Sequence, residues 1–520
     1  MAAMKKTAAA LGWVLLWATF ALLVLLPGWA LLQAAGQPAD LNAIILPLAS
    51  SVAFAFLCTI VALILGTLAA TAVRFLPAKL WPLTDLLAAS GVAFPPFIHA
   101  EAYQWLGDIF FSRSQLWHSN VVIMIAGACY VSAYLPLTYF AMRISLAKVS
   151  PSVVDNLRAV GISDLAICYH CAAKPALACL PPAALLTFVL TISDPLVPAL
   201  LPLPIPNAAY SIWLAVGSGV SLHQAALLAL ILAAISICLA IGVGLFYYAK
   251  GLVFLRQALL SESLPARPIT LIHSKAAKVF TALALVILVG NSLASVLIGG
   301  GASPAGGLDV RAIATTVGLA AVGLAVAGFI ALLAFFLGRR RRPVRVLDFL
   351  FLILLGTPGA TLGTALSLAY MSSTPLFSAV AGIDSDWFVT VMAYVTSLSP
   401  FLYFAIRAFA ASIDRTSIDL LRVMGYSRTR AFTISYLPQL RTLAFLAVVI
   451  SLAMAATASA PLMWVTSPDV PLVVPLLFRL LDHGRVADAF ILTFAMAILL
   501  FLLAAALYPL LRYRSVRRLP

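Results

Sequence analysis

The sequence predicts an all-α, polytopic membrane protein with about twelve transmembrane helices in two parallel six-helix repeats. The first observation is composition, since 63% of the 520 residues are apolar and only 9% are charged. Soluble proteins do not reach these values. The second observation is the one-sided distribution of basic residues, and the third is an internal repeat. Frequent Gly, Ala and Pro favour helices over a β-barrel.

Long charge-free runs exceed the roughly 20 residues that a helix needs to cross a bilayer. In the first half we expect spans at about 9–33, 45–73, 84–108, 120–142, 179–203 and 224–249. In the second half we expect them at about 276–299, 312–338, 346–372, 387–408, 440–465 and 487–511. The charge-free run 195–249 is interpreted as a helix end, a short loop containing Pro and Asn, and another helix.

The net charge of +15 follows the positive-inside rule rather than indicating nucleic-acid binding. With both termini cytoplasmic, every Lys and Arg lies on the inner side except Arg113, Arg311, Arg479 and Arg485. The apolar stretch after Lys5 and Lys6 is too long for a cleavable signal core, so we expect an uncleaved first helix.

Eleven identical residues recur at a spacing of 264 between 136–163 and 400–427, without a gap. They are Pro136/Pro400, Tyr139/Tyr403, Phe140/Phe404, Ala141/Ala405, Arg143/Arg407, Ala147/Ala411, Asp155/Asp419, Leu157/Leu421, Arg158/Arg422, Gly161/Gly425 and Ser163/Ser427. The repeat predicts a first half over 1–249, a cytoplasmic linker over 250–275 and a second half over 276–520. Weaker matches between the halves lie outside this stretch, including Ser51/Thr316, Asp85/Asp348 and Pro95/Pro358. Parallel halves imply a pseudo-two-fold axis along the membrane normal.

The repeat is densest in two polar cytoplasmic loops, at about 143–178 and 409–439. The second loop is predicted to form two short amphipathic helical pieces joined at Gly425, because glycine permits a sharp turn. Pro438 then falls near the start of the next span, where a missing N–H costs little. The polar face suits a docking surface for another protein.

This second loop resembles the "EAA" loop of permeases of bacterial ATP-binding-cassette (ABC) importers of type I. Gly425, Phe432, Ile434 and Leu437-Pro438 match the pattern, and Asp419 stands where the family usually has Glu. The first loop is more degenerate: Asp155, Arg158 and Gly161 fit, but Cys168 and Cys171 replace the Phe and Ile.

The resemblance implies the type I permease fold and a role for the loops in coupling to two copies of an ABC ATPase. The implied coupling residues are Asp155, Arg158, Gly161, Asp419, Arg422, Gly425, Arg428 and Pro438. The chain has no Gly-Lys dipeptide and therefore no phosphate-binding loop of its own, so we expect a non-catalytic subunit. The resemblance also implies an extracytoplasmic substrate-binding protein and a place in the bacterial cytoplasmic membrane.

The fused arrangement resembles the permeases of ferric-iron and thiamine importers. The stretch 96–105 is similar to the iron group, whereas 472–489 is similar to the thiamine group, so both substrates stay open. We expect no cofactor and no nucleic acid. We also expect no bound metal, since Cys168 and Cys171 have no matching ligands in the second loop.

Four residues are candidates for the translocation path: Asp194, Glu101, Pro195 and Pro461. A carboxylate inside a span is costly and is a functional candidate by default. For Asp194 the alternative is a structural role at the outer helix end, where it caps backbone groups exposed by Pro195 and Pro198. The polar stretch 466–486 is either a contact for the binding protein or an ordinary solvated loop.

Two further functions stay open. An ion-driven twelve-helix secondary transporter predicts ionisable residues deep in several helices, and this chain has few besides Asp194 and Glu101. A non-transporting membrane scaffold is also compatible with duplicated helices.

Overall fold

A computed structural model describes residues 2–36, 40–73, 80–92, 94–100, 102–103, 119–146, 151–163, 166–167, 169–170, 179–201, 203–249, 282–288, 308–338, 341–371, 385–412, 420–427, 430–431, 459–465 and 470–512, with residues 76, 279, 290 and 434. Within these ranges every regular element is a helix. The chain is therefore all-helical, as the apolar composition predicts.

The helices fall into two series along the chain. The first comprises α1 (Ala2–Phe20), a π-helical turn (Ala21–Leu25), α2 (Leu26–Ala34), α3 (Leu41–Val73), α4 (Trp81–Val92), α5 (Ser119–Leu146), α6 (Pro151–Ala159), α7 (Leu180–Ile192), α8 (Leu196–Leu200), α9 (Ala208–Ser218) and α10 (Leu222–Ala249). The second comprises α11 (Val310–Leu337), α12 (Arg341–Gly356), α13 (Gly359–Leu366), a π-helical turn (Ser367–Met371), α14 (Ser385–Ser412), α15 (Ser459–Val465), α16 (Val473–Asp482) and α17 (Val486–Arg512).

The described residues contain eight helices that are long and apolar enough to cross a membrane, or nine if one bent pair counts as a span. These nine fall at nine of the twelve expected positions. Most of 276–299 and 440–465 lies outside the described residues, as does part of 84–108. The chain is thus a multi-pass membrane protein by the length and composition of its helices.

The third span of each series is broken, whereas we expected continuous helices over 84–108 and 346–372. In the first series α4 ends at Val92 and the helix resumes after Pro95. In the second series α12 and α13 meet at an angle of 94°, with Pro358 at the break. The cause is the same at both places, because a proline lacks the N–H for the helical ladder and restricts the preceding residue.

The expected loops after the fifth spans contain helices, which corrects two predictions. In 195–249 the short loop contains α9, capped by the Asn207 side chain, which accepts a bond from the Tyr210 N–H at 3.0 Å. In 466–486 the polar stretch contains α16, which buries Val474, Leu477 and Leu481. Hydropathy alone missed both helices, since α9 lies within a charge-free run and α16, at ten residues, is too short to cross a membrane.

The two series interlock in one packed body. Phe20 of α1 contacts Phe351 of α12, with ring centroids 5.3 Å apart, and Tyr370 donates a hydrogen bond to the Leu22 carbonyl at 2.5 Å. α10 packs closely on α12, where a Cβ added to Gly356 would lie 2.6 Å from that of Ala240. Such small residues let helices approach closely in membranes.

Candidate functional site

The first of the two repeated polar loops makes a tight turn at Gly161, where α6 ends. Gly161 has a φ of +83°, which favours glycine. Its N–H donates to the Arg158 carbonyl at 2.9 Å, and the Ile162 N–H donates to the Leu157 carbonyl at 3.1 Å. These two bonds define a Schellman motif, which terminates a helix.

The second repeated polar loop makes the same turn at Gly425, where φ is +86°. The Gly425 N–H donates to the Arg422 carbonyl at 3.0 Å, and the Tyr426 N–H donates to the Leu421 carbonyl, also at 3.0 Å. Each of these bonds stands 264 residues after its counterpart in the first loop. The predicted turn at the glycine is present in both copies.

A serine two residues after each glycine starts the next helical piece. Ser163 accepts from the Ala166 N–H at its Oγ (3.4 Å) and from the Ile167 N–H at its carbonyl (3.0 Å). Ser427 accepts in the same way from Arg430 (3.3 Å) and Ala431 (2.8 Å). Serine is a preferred N-cap because its oxygen satisfies a free N–H of the first turn. The direction of the chain therefore changes abruptly and reproducibly in both loops.

The tips of the turns present apolar side chains to solvent. Val160 is 79% exposed in the first loop, and Val423 and Met424 are 86% and 71% exposed in the second. Asp155 and Arg422 are also exposed, whereas Arg158 is half-buried. Asp419, Arg428 and Pro438 lie outside the described residues. Exposed apolar groups on a loop predicted to face the cytoplasm fit a protein contact.

A cavity of about 120 Å³ lies between the two series of helices. Its lining comes from the broken third spans, the fourth spans and the fifth spans. Five pairs of residues 263 to 266 positions apart line it together, namely Phe94/Thr357, Pro96/Gly359, Ala133/Ser397, Leu137/Phe401 and Asp194/Ala460. The cavity is thus built from matching positions of the two series.

Asp194 lines the cavity and is only 2% exposed. Its Oδ1 accepts from the Leu196 N–H at 3.3 Å and its Oδ2 from the Val197 N–H at 3.2 Å. The carboxylate therefore caps the start of α8, as the structural alternative predicts, although it is buried and not partly solvated as that alternative assumed. The fifth span is interrupted at this point, between α7 and α8.

Of the other three candidates for the path, one lines the cavity. Pro461 lines the cavity next to Ala460. Pro195 is buried beside Asp194 at the start of α8, outside the lining. Glu101 lies outside the described residues. Within the described ranges, no group of three His, Cys, Asp or Glu side chains is placed to hold a metal ion.

One contact at the cavity was not predicted. Ser193 of the first series accepts a hydrogen bond at its Oγ from the Gly359 N–H, at 3.0 Å. Gly359 is the first residue of α13, after the Pro358 break, so its N–H has no helical partner. The break could have been predicted from the sequence, because Pro95 and Pro358 stand at matching positions of the two halves.

The short helices α9 and α16 are anchored in the same way. The Ala208 N–H donates to the Ser51 Oγ at 2.8 Å, and the Val473 N–H donates to the Thr316 Oγ1 at 2.9 Å. Each pair joins a helix start to a polar residue of the second span. Both helices end at a glycine of positive φ, Gly219 (+67°) and Gly484 (+71°).

These features define an all-helical, multi-pass membrane protein with a central cavity and two matching polar turns. Comparisons of the chain with family models, with curated proteins and with solved structures find no match.

Proposed function

We propose that this chain is the permease subunit of an ABC importer of the type I, binding-protein-dependent kind. In this proposal twelve transmembrane helices form two parallel halves, 1–249 and 276–520, joined by a cytoplasmic linker over 250–275. The central cavity belongs to the translocation path. The chain catalyses no reaction, and two copies of an ABC ATPase bind its cytoplasmic loops.

The observation that carries the proposal is the identical backbone turn at Gly161 and Gly425. A Schellman motif alone is common at helix ends, and Gly484 has one as well. At Gly161 and Gly425 the motif is followed by a serine cap and lies beside an exposed apolar tip, and the two turns match bond for bond at a spacing of 264. A pair of equal docking sites explains all three features, since the two halves would contact two identical ATPase subunits. The permease resemblance of the loop sequences supports the same interpretation.

The cavity supports the two-fold arrangement. A site lined by five pairs of matching positions is what a two-fold axis between the proposed halves would produce. Broken helices at such a position are typical of transporters, because helix ends supply unpaired backbone groups near a solute. The cavity of about 120 Å³ is mostly apolar, which suits an occluded or solute-free state.

The remaining parts of the proposal come from the sequence. The distribution of Lys and Arg supports a cytoplasmic location of both termini and loops. The bacterial cytoplasmic membrane, a binding protein on the outer side and a ferric-iron or thiamine-like solute are implied by the family resemblance. The ion-driven transporter is the alternative, and it leaves the duplicated turns without a role.

Gly425→Pro tests the docking role of the second loop. Proline fixes φ near −65° and removes the N–H that bonds to Arg422, so this turn cannot form. With the ATPase co-expressed from a neighbouring reading frame, we expect the purified variant to insert normally but to retain at most about a tenth of the ATPase, as for a hot-spot residue.

Gly484→Pro is the matched control. Gly484 has a similar φ of +71° and the same pair of turn bonds, to Leu481 (2.9 Å) and from Arg485 to Leu480 (2.7 Å), but it lies on the opposite side of the membrane in this proposal. This variant should retain the ATPase. Equal ATPase retention by the two variants would exclude the second loop as a docking site.

A further inference from the structure

A carboxylate, a tyrosine and an arginine form a partly buried cluster at the start of the third span in the first half. Asp85 of α4 accepts a hydrogen bond at Oδ1 from the Tyr139 hydroxyl at 2.5 Å and from the Arg143 Nε at 3.4 Å. Tyr139 and Arg143 lie at the end of α5, which leads into the first cytoplasmic loop. The cluster therefore joins the third span to the fourth.

The second half contains the same cluster. Asp348 of α12 accepts at Oδ1 from the Tyr403 hydroxyl at 2.7 Å and from the Arg407 Nε at 3.0 Å. Its Oδ2 accepts from the Arg407 Nη2 at 2.8 Å, so the arginine binds the carboxylate with two bonds. Bidentate pairs of this kind fix the orientation of both groups.

The apolar surroundings of the two clusters differ, while the polar groups are the same. In the first half the Arg143 guanidinium lies 4.8 Å from the centre of the Trp81 ring. In the second half Tyr403 stacks on Phe351, with centroids 4.1 Å apart. The packing has diverged between the copies and the three polar residues have not, which indicates that the polar contacts themselves are needed.

An ion pair at a protein surface contributes little to stability. Asp85 and Asp348 are about one-third exposed at the side chain, at 34% and 31%. Both tyrosines are fully buried, however, and each hydroxyl donates its hydrogen bond to the carboxylate. A buried hydroxyl that loses its acceptor is costly. Each cluster therefore ties two helix ends together through a buried hydroxyl as well as through a partly exposed ion pair.

In the first half the cluster lies between the cytoplasmic loop and the cavity. Val154 and Ile167 of the loop are buried in the same apolar cluster as Tyr139 and Trp81. From Asp85, α4 runs directly to the break at Pro95, beside the cavity. A displacement of the loop therefore reaches the cavity through packed residues and one polar link.

We infer that Asp85–Tyr139–Arg143 and Asp348–Tyr403–Arg407 are positioning residues that transmit movement of each cytoplasmic loop to the broken third span. This inference rests on the proposed function, because the movement originates in a bound ATPase. The tyrosine hydroxyl and the arginine tie the end of the fourth span to the carboxylate at the start of the third. The two spans consequently move together at their cytoplasmic ends.

The test follows a cysteine at the break, Thr357→Cys, which lines the cavity. Vesicles containing the permease and its ATPase are treated with a maleimide, with and without ATP and vanadate, and labelling of the parent chain is subtracted. We expect nucleotide to change the labelling rate of Thr357→Cys. Adding Tyr403→Phe or Asp348→Asn should reduce that change about tenfold, in keeping with the loss of a hydrogen bond to a charged group.

Tyr394→Phe is the matched control on the same helix. Tyr394 is buried like Tyr403, but its hydroxyl has no hydrogen-bond partner among the described residues. The control should keep the full nucleotide response. ATPase binding and the melting temperature are measured for every variant, because a purely structural role would change the melting temperature and leave the nucleotide response intact.

The outcomes distinguish failure of the proposed function from failure of the inference about the two clusters. If Thr357→Cys alone shows no response to nucleotide while the ATPase is bound, the proposed function fails. If it responds, and Tyr403→Phe and Asp348→Asn respond equally, the proposed function stands and this inference is wrong.

Discussion

Trp213 of α9 and Phe478 of α16 meet edge to face, with ring centroids 5.6 Å apart and planes at 80°. The two residues stand 265 positions apart, as do the anchoring bonds at the starts of their helices. In the proposed two-fold arrangement, matching residues can touch only close to the axis. In that arrangement the aromatic pair would lie on the same axis as the cavity, and we propose that it closes the path on the outer side.

Cross-linking tests this closure. We expect Trp213→Cys combined with Phe478→Cys to react with a short, flexible thiol cross-linker, and uptake to fall at least about tenfold until the cross-link is reduced, because the gate cannot open. The readout is uptake before and after reduction.

The neighbouring positions provide the control for that experiment. Leu214 and Arg479 follow Trp213 and Phe478 on the same helices, and both side chains are exposed. The double variant Leu214→Cys and Arg479→Cys should not cross-link. Uptake that continues with the Trp213–Phe478 positions fully cross-linked would show that these helices do not gate the path.

Gly161 allows a graded test of the first loop, whose sequence is the more degenerate. Its φ of +83° makes Gly161→Ala unfavourable by about 1–2 kcal/mol, whereas Asn tolerates this region of backbone space. We expect Gly161→Ala to weaken ATPase binding and Gly161→Asn to preserve it, as measured by titration of the ATPase. Equal weakening by both variants would indicate that an added side chain, and not the backbone turn, is what reduces ATPase binding.

Asp194 is predicted to act mainly as a helix cap. Asp194→Ala leaves the Leu196 and Val197 N–H groups without an acceptor, so it should lower the free energy of unfolding by about 1 kcal/mol. Asp194→Asn keeps one of the two acceptor oxygens, so it should lose less stability than Asp194→Ala and should retain uptake. A stable Asp194→Asn variant without uptake would contradict this role and assign the charge to solute binding.

Gly66 is predicted to be essential for the packing of α3 on α5. A Cβ at this position would lie 2.9 Å from the Tyr139 backbone nitrogen and 2.8 Å from the Thr138 Cβ. Gly66→Ala should therefore destabilise the protein by about 1–3 kcal/mol, since the helices must move apart. Thermal unfolding in detergent provides the measurement.

Gly127→Ala on the partner helix is the comparison, because the nearest atoms there are the Phe54 ring carbons at 3.9 Å. This change should be neutral or stabilising by up to about 1 kcal/mol, as expected for alanine in a helix interior. Destabilisation of the two variants by the same amount would rule out close helix contact as the cause.

Local rules predicted much of this fold. The long apolar runs predicted the positions of nine helices, and glycine chemistry predicted the turn at Gly425. The matching turn at Gly161 was not predicted separately. The helix α9 was missed because its surroundings are uniformly apolar, although Asn207 and Gly219 are a usable cap pair. The breaks at Pro95 and Pro358 were also missed, since a proline within an apolar run either kinks a helix or starts one.

The candidate site could be predicted only in part. Asp194 was identified because a carboxylate in a span is unusual, and the capping alternative followed from the neighbouring prolines. The bond from Gly359 to Ser193 joins residues 166 positions apart, so no local pattern contains it. The Asp–Tyr–Arg clusters were present in the repeat as separate echoes, but their contact depends on the packing of α4 on α5 and of α12 on α14.

Uptake into vesicles that contain the purified permease, its ATPase and the binding protein tests the central claim most directly. With thiamine and ferric iron supplied as separate solutes, we predict uptake of a solute that requires ATP and continues when a protonophore collapses the proton gradient. Uptake driven by a proton gradient without the ATPase would contradict the account.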